Sequence, residues 1–327
     1  MAGQPERNII MKKIQLLKMA TRQKALLTVL AIFCLMLFFK TNFFTAFNLL
    51  DMLNSASILM IVAFGLTMVI IAGGIDLSVG GTLVVAGILT IQLMDYMPLG
   101  LAIILAMLSG VLIGAINGYL AVYQKTEPLI ITLGMGLVLT GVGQQLTDAH
   151  PISAKGMEFM MISNGYFFGK IPNLVVFMLA VLVIFYAILN YSGFGRNCYA
   201  IGGNYDVAEY SGINVKRVKA ATYVLSGLTA ALGGILLSSK LNSGSSIYGE
   251  TTALTVISAV VVGGTSLAGG TGGVFQTFMG LLVFAVMENA MNMLGIDAYV
   301  QMILRGLVIV TILYLDSYSR KRKRETV

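Results

Sequence analysis

The feature that most constrains the fold is a series of nearly unbroken apolar stretches along a chain of 327 residues. About 20 apolar residues in a helix cross the ~30 Å hydrocarbon core of a bilayer. Only 11% of the residues are charged, whereas a soluble domain usually carries about a quarter. Because a lipid-exposed backbone must satisfy its own hydrogen bonds, the pattern predicts an all-α membrane protein, a polytopic helical bundle without a separate soluble domain.

Ten segments qualify as candidate spans, and the third and eighth are short and flanked by glycine. The candidates are Ala25–Phe39, Ser55–Ala72, Val79–Leu93, Pro98–Tyr123, Leu129–Thr147, Asn173–Tyr191, Ala220–Ser238, Thr252–Val262, Val274–Met293 and Tyr299–Asp316. No small-residue cleavage site follows the first, so we expect it to remain uncleaved. The predicted domains are a basic segment 1–24, a membrane domain 25–316 and a basic tail 317–327.

Charge predicts the orientation of the bundle. Ten spans place both termini on one side, and sixteen of the 21 lysines and arginines then fall on that side, against four on the other. The positive-inside rule therefore predicts cytoplasmic termini, a cytoplasmic loop 192–219 and an outer loop 148–172. The outer loop is either a docking surface for an outer partner or a plain connector. The net charge of +7 follows from this topology and does not indicate nucleic acid binding.

Residues of the common catalytic and metal sites are scarce. One histidine, His150, and two cysteines, Cys34 and Cys198, are too few for a zinc cluster or a disulfide framework. No GxxxxGK[ST] phosphate-binding loop is present, and the spans lack the carboxylate relay typical of an ion-coupled carrier. We expect no catalytic residue, metal or cofactor in this chain, and energy for active transport would come from another polypeptide.

Two glycine-rich pieces, Gly73–Gly81 and Gly263–Gly270, lie at the mouths of short spans. So many glycines are expected to interrupt a helix. Irregular backbone at membrane depth lies in protein or lines a watery cavity, and paired glycine interruptions in transporters point to the substrate route. Translocation pathway and tight cytoplasmic turns both remain open as interpretations. The candidate pathway residues are Gly74, Asp76, Ser78, Gly264, Ser266 and Glu288.

Glu288 and Arg305 lie on the last two candidate spans and could form an ion pair. Such a pair in a membrane segment is either structural or functional.

The most polar break in the chain is Phe194–Lys219. Asn204 is a good helix N-cap and Asp206 falls in the first turn, while Gly212 suits the position past the end. The pattern predicts a short exposed helix over Tyr205–Ser211, entered flexibly through Gly202-Gly203. A partner that moved this helix would move the spans on both sides; the alternative is a charged surface loop. The predicted coupling residues are Asn204, Asp206, Glu209 and Gly212.

Over about residues 43–316 the chain resembles the permease subunits of bacterial ABC importers for monosaccharides, of the ribose, galactose, xylose and arabinose type. The pieces that carry the resemblance are Gly65–Ile70 leading into Gly73–Gly80, Asn117-Gly118, Pro128–Gly134, Gly195-Arg196, Ala200–Asn204, Ser211–Ile213 and Val262–Gly270. The chain departs from the family where an acidic pair is often found, at Ala253 and Thr255.

The resemblance implies a multi-pass protein of the bacterial inner membrane with three kinds of partner. These are a second permease copy or paralogue, cytoplasmic ATP-binding subunits that meet the segment 194–219, and a periplasmic sugar-binding protein. Membrane lipid surrounds the assembly. The implied function is the membrane subunit of an ATP-driven sugar importer that works by alternating access. The alternatives are a stand-alone secondary carrier or facilitator for a small polar solute, and a purely structural membrane component.

Overall fold

The computed structural model describes residues 29, 32–34, 36, 42–308, 310 and 311. The predicted segment 1–24, much of the first predicted span and the predicted tail 317–327 lie outside the described residues. The helices, in chain order, are α1 (Ala46–Ile71), α2 (Val79–Leu93), α3 (Leu99–Gly118), α4 (Pro128–Thr147), α5 (Met157–Asn164), α6 (Asn173–Tyr191), α7 (Gly193–Gly203), α8 (Tyr205–Tyr210), α9 (Val215–Leu241), α10 (Thr252–Val262), α11 (Val274–Met293) and α12 (Ala298–Val308). The strands are β1 (Ile152–Ser153), β2 (Tyr166–Phe167), β3 (Ile171–Pro172) and β4 (Ser243–Gly244).

Within the described residues, six helices are long and apolar enough to cross a membrane: α1, α3 with its continuation to Tyr123, α4, α6, α9 and α11. Three shorter apolar helices accompany them, over Val79–Leu93, Ser246–Val262 and Ala298–Val308. The prediction of an all-α membrane protein is confirmed.

Helix α1 begins nine residues earlier than the predicted span, at Ala46 instead of Ser55. Thr45 caps it, because its hydroxyl oxygen accepts a hydrogen bond from the Asn48 backbone N–H at 3.3 Å. This first part contains polar residues such as Asn48 and lies outside the predicted span. In the structure, Asn48 and Asn289 on α11 exchange two amide hydrogen bonds of 2.9 Å each, so a distant helix satisfies this polar side chain.

The core of the bundle is formed by α1 and α9. Of the 18-residue apolar stretch within each of these helices, 83% and 61% are buried, against 17% for α4. Glycines let the central helices approach closely. A Cβ on Gly227 of α9 would collide with the carbonyl oxygen of Gly110 on α3, and one on Gly114 with the carbonyl of Tyr223. Small residues at such crossings are the usual basis of helix packing in lipid, and the glycines of this crossing have that role.

The span that ends in α10 is interrupted. After α9 the chain passes through β4 and a 3-10 turn at Ser246–Gly249 before α10 starts at Thr252. On the way Gly244 lies against Ile88 and Ile91, near the carboxyl end of α2, and Gly249 lies against Gly80 at its amino end. The irregular segment therefore runs along α2 inside the bundle, where protein surrounds its backbone.

The loop 148–172 is structured and is joined to the bundle. Strand β1 pairs antiparallel with β4, so that Ile152 is opposite Gly244. Ser163 of α5 donates from its backbone to the Ser239 hydroxyl at 3.1 Å and from its hydroxyl to the Leu236 carbonyl at 2.8 Å. The loop is thus held to the end of α9 and to the start of the interrupted span.

Candidate functional site

The first glycine-rich piece forms a buried polar turn in front of α2. Asp76 is 1% exposed. Its carboxylate accepts hydrogen bonds from the Ser78 N–H at 3.0 Å, from the Ser78 hydroxyl at 2.6 Å and from the Ser226 hydroxyl of α9 at 2.8 Å. The carboxylate also lies at the amino end of α2, where the helix dipole favours negative charge. The three donors and the helix end together offset the free-energy cost of burying this carboxylate.

Three neighbouring helices hold the same turn. Asn117 of α3 donates to the Ser78 hydroxyl at 2.8 Å, Thr132 of α4 accepts from the Leu77 N–H at 3.0 Å, and Tyr223 of α9 donates to the Ile75 carbonyl at 3.3 Å. Gly74 is required there, because a Cβ would lie 2.7 Å from the Tyr223 hydroxyl. The turn cannot shift by itself without breaking bonds to these three helices.

The last two glycines of this piece lie in the helix, within the predicted span Val79–Leu93. Helix α2 starts at Val79, so Gly80 and Gly81 lie in its first turn. These two glycines allow close packing. A Cβ on Gly81 would lie 2.9 Å from the Gly136 carbonyl of α4, and a Cβ on Gly80 would collide with the carbonyl of Gly249.

The second glycine-rich piece follows α10 and is irregular, as predicted. Gly264, Gly269 and Gly270 have φ angles of 103°, 87° and 72°, a region that favours glycine. Ser266 stabilises the turn, because its N–H donates to the Thr271 carbonyl at 3.1 Å and its hydroxyl accepts from the Ala268 N–H at 3.2 Å. Gly264 is exposed and Ser266 is half-buried.

The two glycine-rich pieces meet each other and the end of α7. The Gly270 N–H donates to the Ile71 carbonyl at 2.9 Å. A Cβ on Gly269 would lie 3.0 Å from the Gly202 α-carbon and 3.1 Å from the Gly73 α-carbon. We call Gly73, Gly202, Gly269 and Gly270 the glycine junction. It joins the ends of α1, α7 and α10 by backbone contact.

Gly202 and Gly203 are the last residues of α7, so the expected flexible entry is wrong. Helix continues through them because α7 packs its end against the turns: a Cβ on Gly202 would collide with the Ile71 carbonyl and the Gly270 N–H. The Tyr199 hydroxyl donates to the Gly272 carbonyl at 2.8 Å and fixes α7 to the second piece.

Cys198 packs on the inner face of α7. Burial raises the pKa of its thiol to about 12, so the thiol stays protonated at neutral pH. A buried, protonated thiol is inert, and Cys198 therefore serves packing.

The predicted exposed helix is α8, over Tyr205–Tyr210. The cap at Asn204 is confirmed, because its side-chain oxygen accepts from the Val207 N–H at 3.1 Å. Gly212 follows the helix with a φ of 81°, as expected of a residue just past a helix end. Asp206 and Glu209 are exposed.

Sequence reasoning missed two apolar side chains on α8. Val207 is 59% and Tyr210 91% exposed, while Ala208 faces the protein at 2%. Their spacing of three residues places Val207 and Tyr210 on one helix face, and this spacing was the signal that could have found them. Tyrosine is enriched at protein interfaces.

Glu288 lies in a different place from the other candidate pathway residues. It lines a cavity of about 260 Å³ between α1, α10, α11 and α12. Arg305 of α12 donates to its carboxylate at 2.8 Å, so the predicted pair forms. Five of the six candidate pathway residues thus lie in the turns at and beside the glycine junction, and Glu288 lies near the opposite end of α11.

The relatives found by comparison with known proteins are described as permeases. Residues 48–313 match the family model described as the permease component of the branched-chain amino acid transport system. The ribose import permease protein of Bacillus subtilis is 39% identical over 278 residues, which cover 84% of this chain and 86% of the relative. That of Haemophilus influenzae is 35% identical, covering 92% and 94%. The L-arabinose transport system permease protein of Escherichia coli is 35% identical, covering 88% and 87%. No solved structure matches.

Proposed function

The chain belongs to the family of permease components of branched-chain amino acid transport systems, and on this premise we propose that it is the membrane-spanning subunit of an ATP-driven importer of a monosaccharide. One observation carries the proposal: relatives described as ribose and L-arabinose permeases share 35–39% identity with it over more than four fifths of both chains. Identity over nearly the full length favours the same transported class.

The proposed setting is the bacterial inner membrane, with ten spans and both termini in the cytoplasm. The excess of lysine and arginine on one side supports this orientation. Permease components are not enzymes, so ATP hydrolysis is assigned to a cytoplasmic partner subunit. A periplasmic sugar-binding protein and a second permease, identical or related, would complete the importer.

The proposed coupling element is α8, with Asn204, Asp206, Glu209 and Gly212. Only Asn204 separates it from Gly203 at the end of α7, and Gly202 in α7 contacts the turns that end α1 and follow α10. A movement of α8 by the ATP-binding subunit would therefore reach the ends of several spans through backbone contacts. Packed backbones transmit displacement well because they compress little.

The candidate pathway residues then fall into two proposed roles. Gly74, Asp76 and Ser78, with Gly264 and Ser266, form the cytoplasmic closure of the route, since their turns are packed and hydrogen-bonded. Glu288 lines the route toward the outer side. In alternating access, the turns that contain Asp76 and Ser266 would separate while the cavity around Glu288 closes.

The coupling proposal is tested by Asp206→Lys combined with Glu209→Lys in the complete importer. Reversing these two charges on α8 should lower both the capture of the ATP-binding subunit in detergent and the sugar uptake in cells at least tenfold. The matched control is Glu158→Lys, an exposed acid on α5 in the outer loop, which should leave capture unchanged. Normal capture together with normal uptake in the double variant would overturn the proposal.

Reconstitution of the purified chain alone separates the main proposal from a stand-alone carrier. In liposomes we expect no flux of D-ribose or L-arabinose until the ATP-binding subunit, the binding protein and ATP are added. Flux by the chain alone would favour the carrier.

A further inference from the structure

The cavity beside Glu288 is lined by an unusual set of polar groups for a membrane protein. Carboxylates come from Asp51 of α1 and Glu288 of α11, a guanidinium from Arg305 of α12, and hydroxyls from Ser55 of α1 and Thr255 of α10. The lining also includes the side chains of Leu59 and Phe284, among other apolar residues. The cavity therefore combines several hydrogen-bonding groups with an apolar wall.

Stability alone does not account for these charges. Asp51 and Glu288 each lie five residues inside the nearer end of their helix, about 8 Å along the axis. Ionisable residues within spans are costly and usually mark function. The side chains of Arg305 and Glu288 are still 30% and 50% exposed, and an exposed ion pair stabilises a protein by only ~0–1 kcal/mol.

Hydrogen bonds within the wall hold the polar groups in place. Arg305 is fixed by Glu288 at 2.8 Å. Asn292, which also lines the cavity, accepts from the buried Gln301 side chain at 2.8 Å, and Gln301 in turn donates to the Ile296 carbonyl at 2.8 Å. Groups that are already oriented lose less conformational entropy when a ligand binds.

From this geometry we infer that the cavity is a binding site for a neutral monosaccharide on its way through the permease, an inference that rests on the proposed function and deepens it. A sugar hydroxyl both donates and accepts hydrogen bonds, so carboxylate, guanidinium, amide and hydroxyl groups can all bind it. A volume of about 260 Å³ lies just below the ~300–1,000 Å³ of sites for drug-sized ligands. The two carboxylates outnumber the single guanidinium, which disfavours an anion such as a sugar phosphate.

An apolar amino acid fits the same wall less well. Its side chain would cover Ser55 and Thr255 without offering them a hydrogen-bonding partner. Sites built to bond hydroxyl groups reject analogues that lack them, because the polar groups of the site are left unpaired. The composition of the cavity therefore favours a sugar.

The location agrees with a place on the transport route. Thr255 lies in the first turn of α10, directly after the irregular segment that runs along α2. Interrupted spans are where transporters bind their substrates. In the proposed topology the cavity is on the outer side of the bundle.

The test is equilibrium binding of tritiated D-ribose, L-arabinose, D-xylose and D-galactose to the full chain in lipid nanodiscs. At least one sugar should bind saturably, and Glu288→Gln and Arg305→Gln should each weaken its binding at least tenfold. Lys155→Gln is the matched control, because Lys155 and Asp95 form the other described ion pair at 2.8 Å, in the outer loop region. This variant should keep wild-type affinity, and size-exclusion profiles should be the same for all variants.

The inference is overturned if none of the four sugars binds, if Glu288→Gln and Arg305→Gln keep full affinity, or if L-leucine displaces the sugar at equal concentration. A changed oligomeric state in both variants would also overturn it, since the surface around Glu288 and Arg305 would then form a contact between subunits. Uptake by the complete importer reports separately on the proposed function. Sugar uptake by the wild type with an unaltered KM in Arg305→Gln refutes the cavity alone, whereas no uptake by the wild type refutes the importer.

Discussion

Polar side chains are buried at one end of the bundle and partly exposed at the other. Around Asp76 the polar side chains are buried, each carboxylate oxygen has a donor, and the nearby glycine junction leaves no room for a Cβ on Gly202. Around Glu288 the polar side chains line a cavity and remain partly exposed. Buried polar side chains that hold a hydrogen-bonded carboxylate serve structure, whereas polar side chains that stay open inside a span are available to a ligand.

The same two helices connect these ends. Helix α1 carries Asp51 near its start and ends at the junction with Ile71, and α11 begins after Gly273 and carries Glu288 near its end. Because a helix is a stiff rod, a displacement at the junction also moves the cavity wall. The contrast between the ends can therefore be tested by changing one end at a time.

The largest effect is expected at the glycine junction. Gly202→Ala would push a Cβ into the Ile71 carbonyl and the Gly270 N–H, so the turns must separate. We expect loss of sugar uptake and a fall in the free energy of unfolding of ~3 kcal/mol or more, measured by transport assay and thermal unfolding in detergent. Gly203→Ala is the control, since a Cβ on Gly203 would meet no heavy atom of the described residues within 4 Å. Similar behaviour of both variants would show that the junction tolerates separation.

A smaller loss of stability is expected at the buried turn. Ser226→Ala removes one donor from the Asp76 carboxylate, and a buried acceptor left unpaired costs roughly 1–3 kcal/mol. Ser109→Ala on α3 is a matched control. Among the described residues, the Ser109 hydroxyl bonds only the Ala106 carbonyl of its own helix, at 2.7 Å, so the variant should change stability by less than ~0.5 kcal/mol. Equal thermal midpoints of the two variants would mean that the turn does not depend on this bond.

The smallest change in stability is expected at the cavity. Arg305→Gln removes a partly exposed ion pair, so the free energy of unfolding should fall by no more than ~1 kcal/mol even though sugar binding weakens at least tenfold. Thermal unfolding beside the binding assay checks both quantities. A destabilisation greater than that of Ser226→Ala would make the pair structural and would remove the contrast between the two ends.

Local signals predicted much of the architecture. The bounds of α2, α6, α10 and α11 agree with the predicted spans, because each is an apolar run bounded by glycine, proline or polar residues. The cap at Asn204 and the turn at Gly212 were also predictable, since both depend on side chains and backbone angles within one short segment.

What the sequence did not reveal depends on contacts between distant segments. The start of α1 was missed because Asn48 is satisfied by Asn289, 241 residues away. Gly202 suggested flexibility because its neighbours, Gly73 and Gly269, lie far from it in the chain. The cavity likewise draws its polar groups from four helices, each of which contributes only one to three of them.

Helix α10 has 11 residues, about 17 Å of length, which is little more than half of the ~30 Å hydrocarbon core. A full-length span is held at a fixed height because its polar flanks must stay in water on both sides, and a mismatch costs free energy. A helix of about half that length cannot place its two ends at the two surfaces of the bilayer. Contacts within the protein therefore set the height of α10, as at Gly280 of α11, where a Cβ would collide with the Ala259 carbonyl of α10.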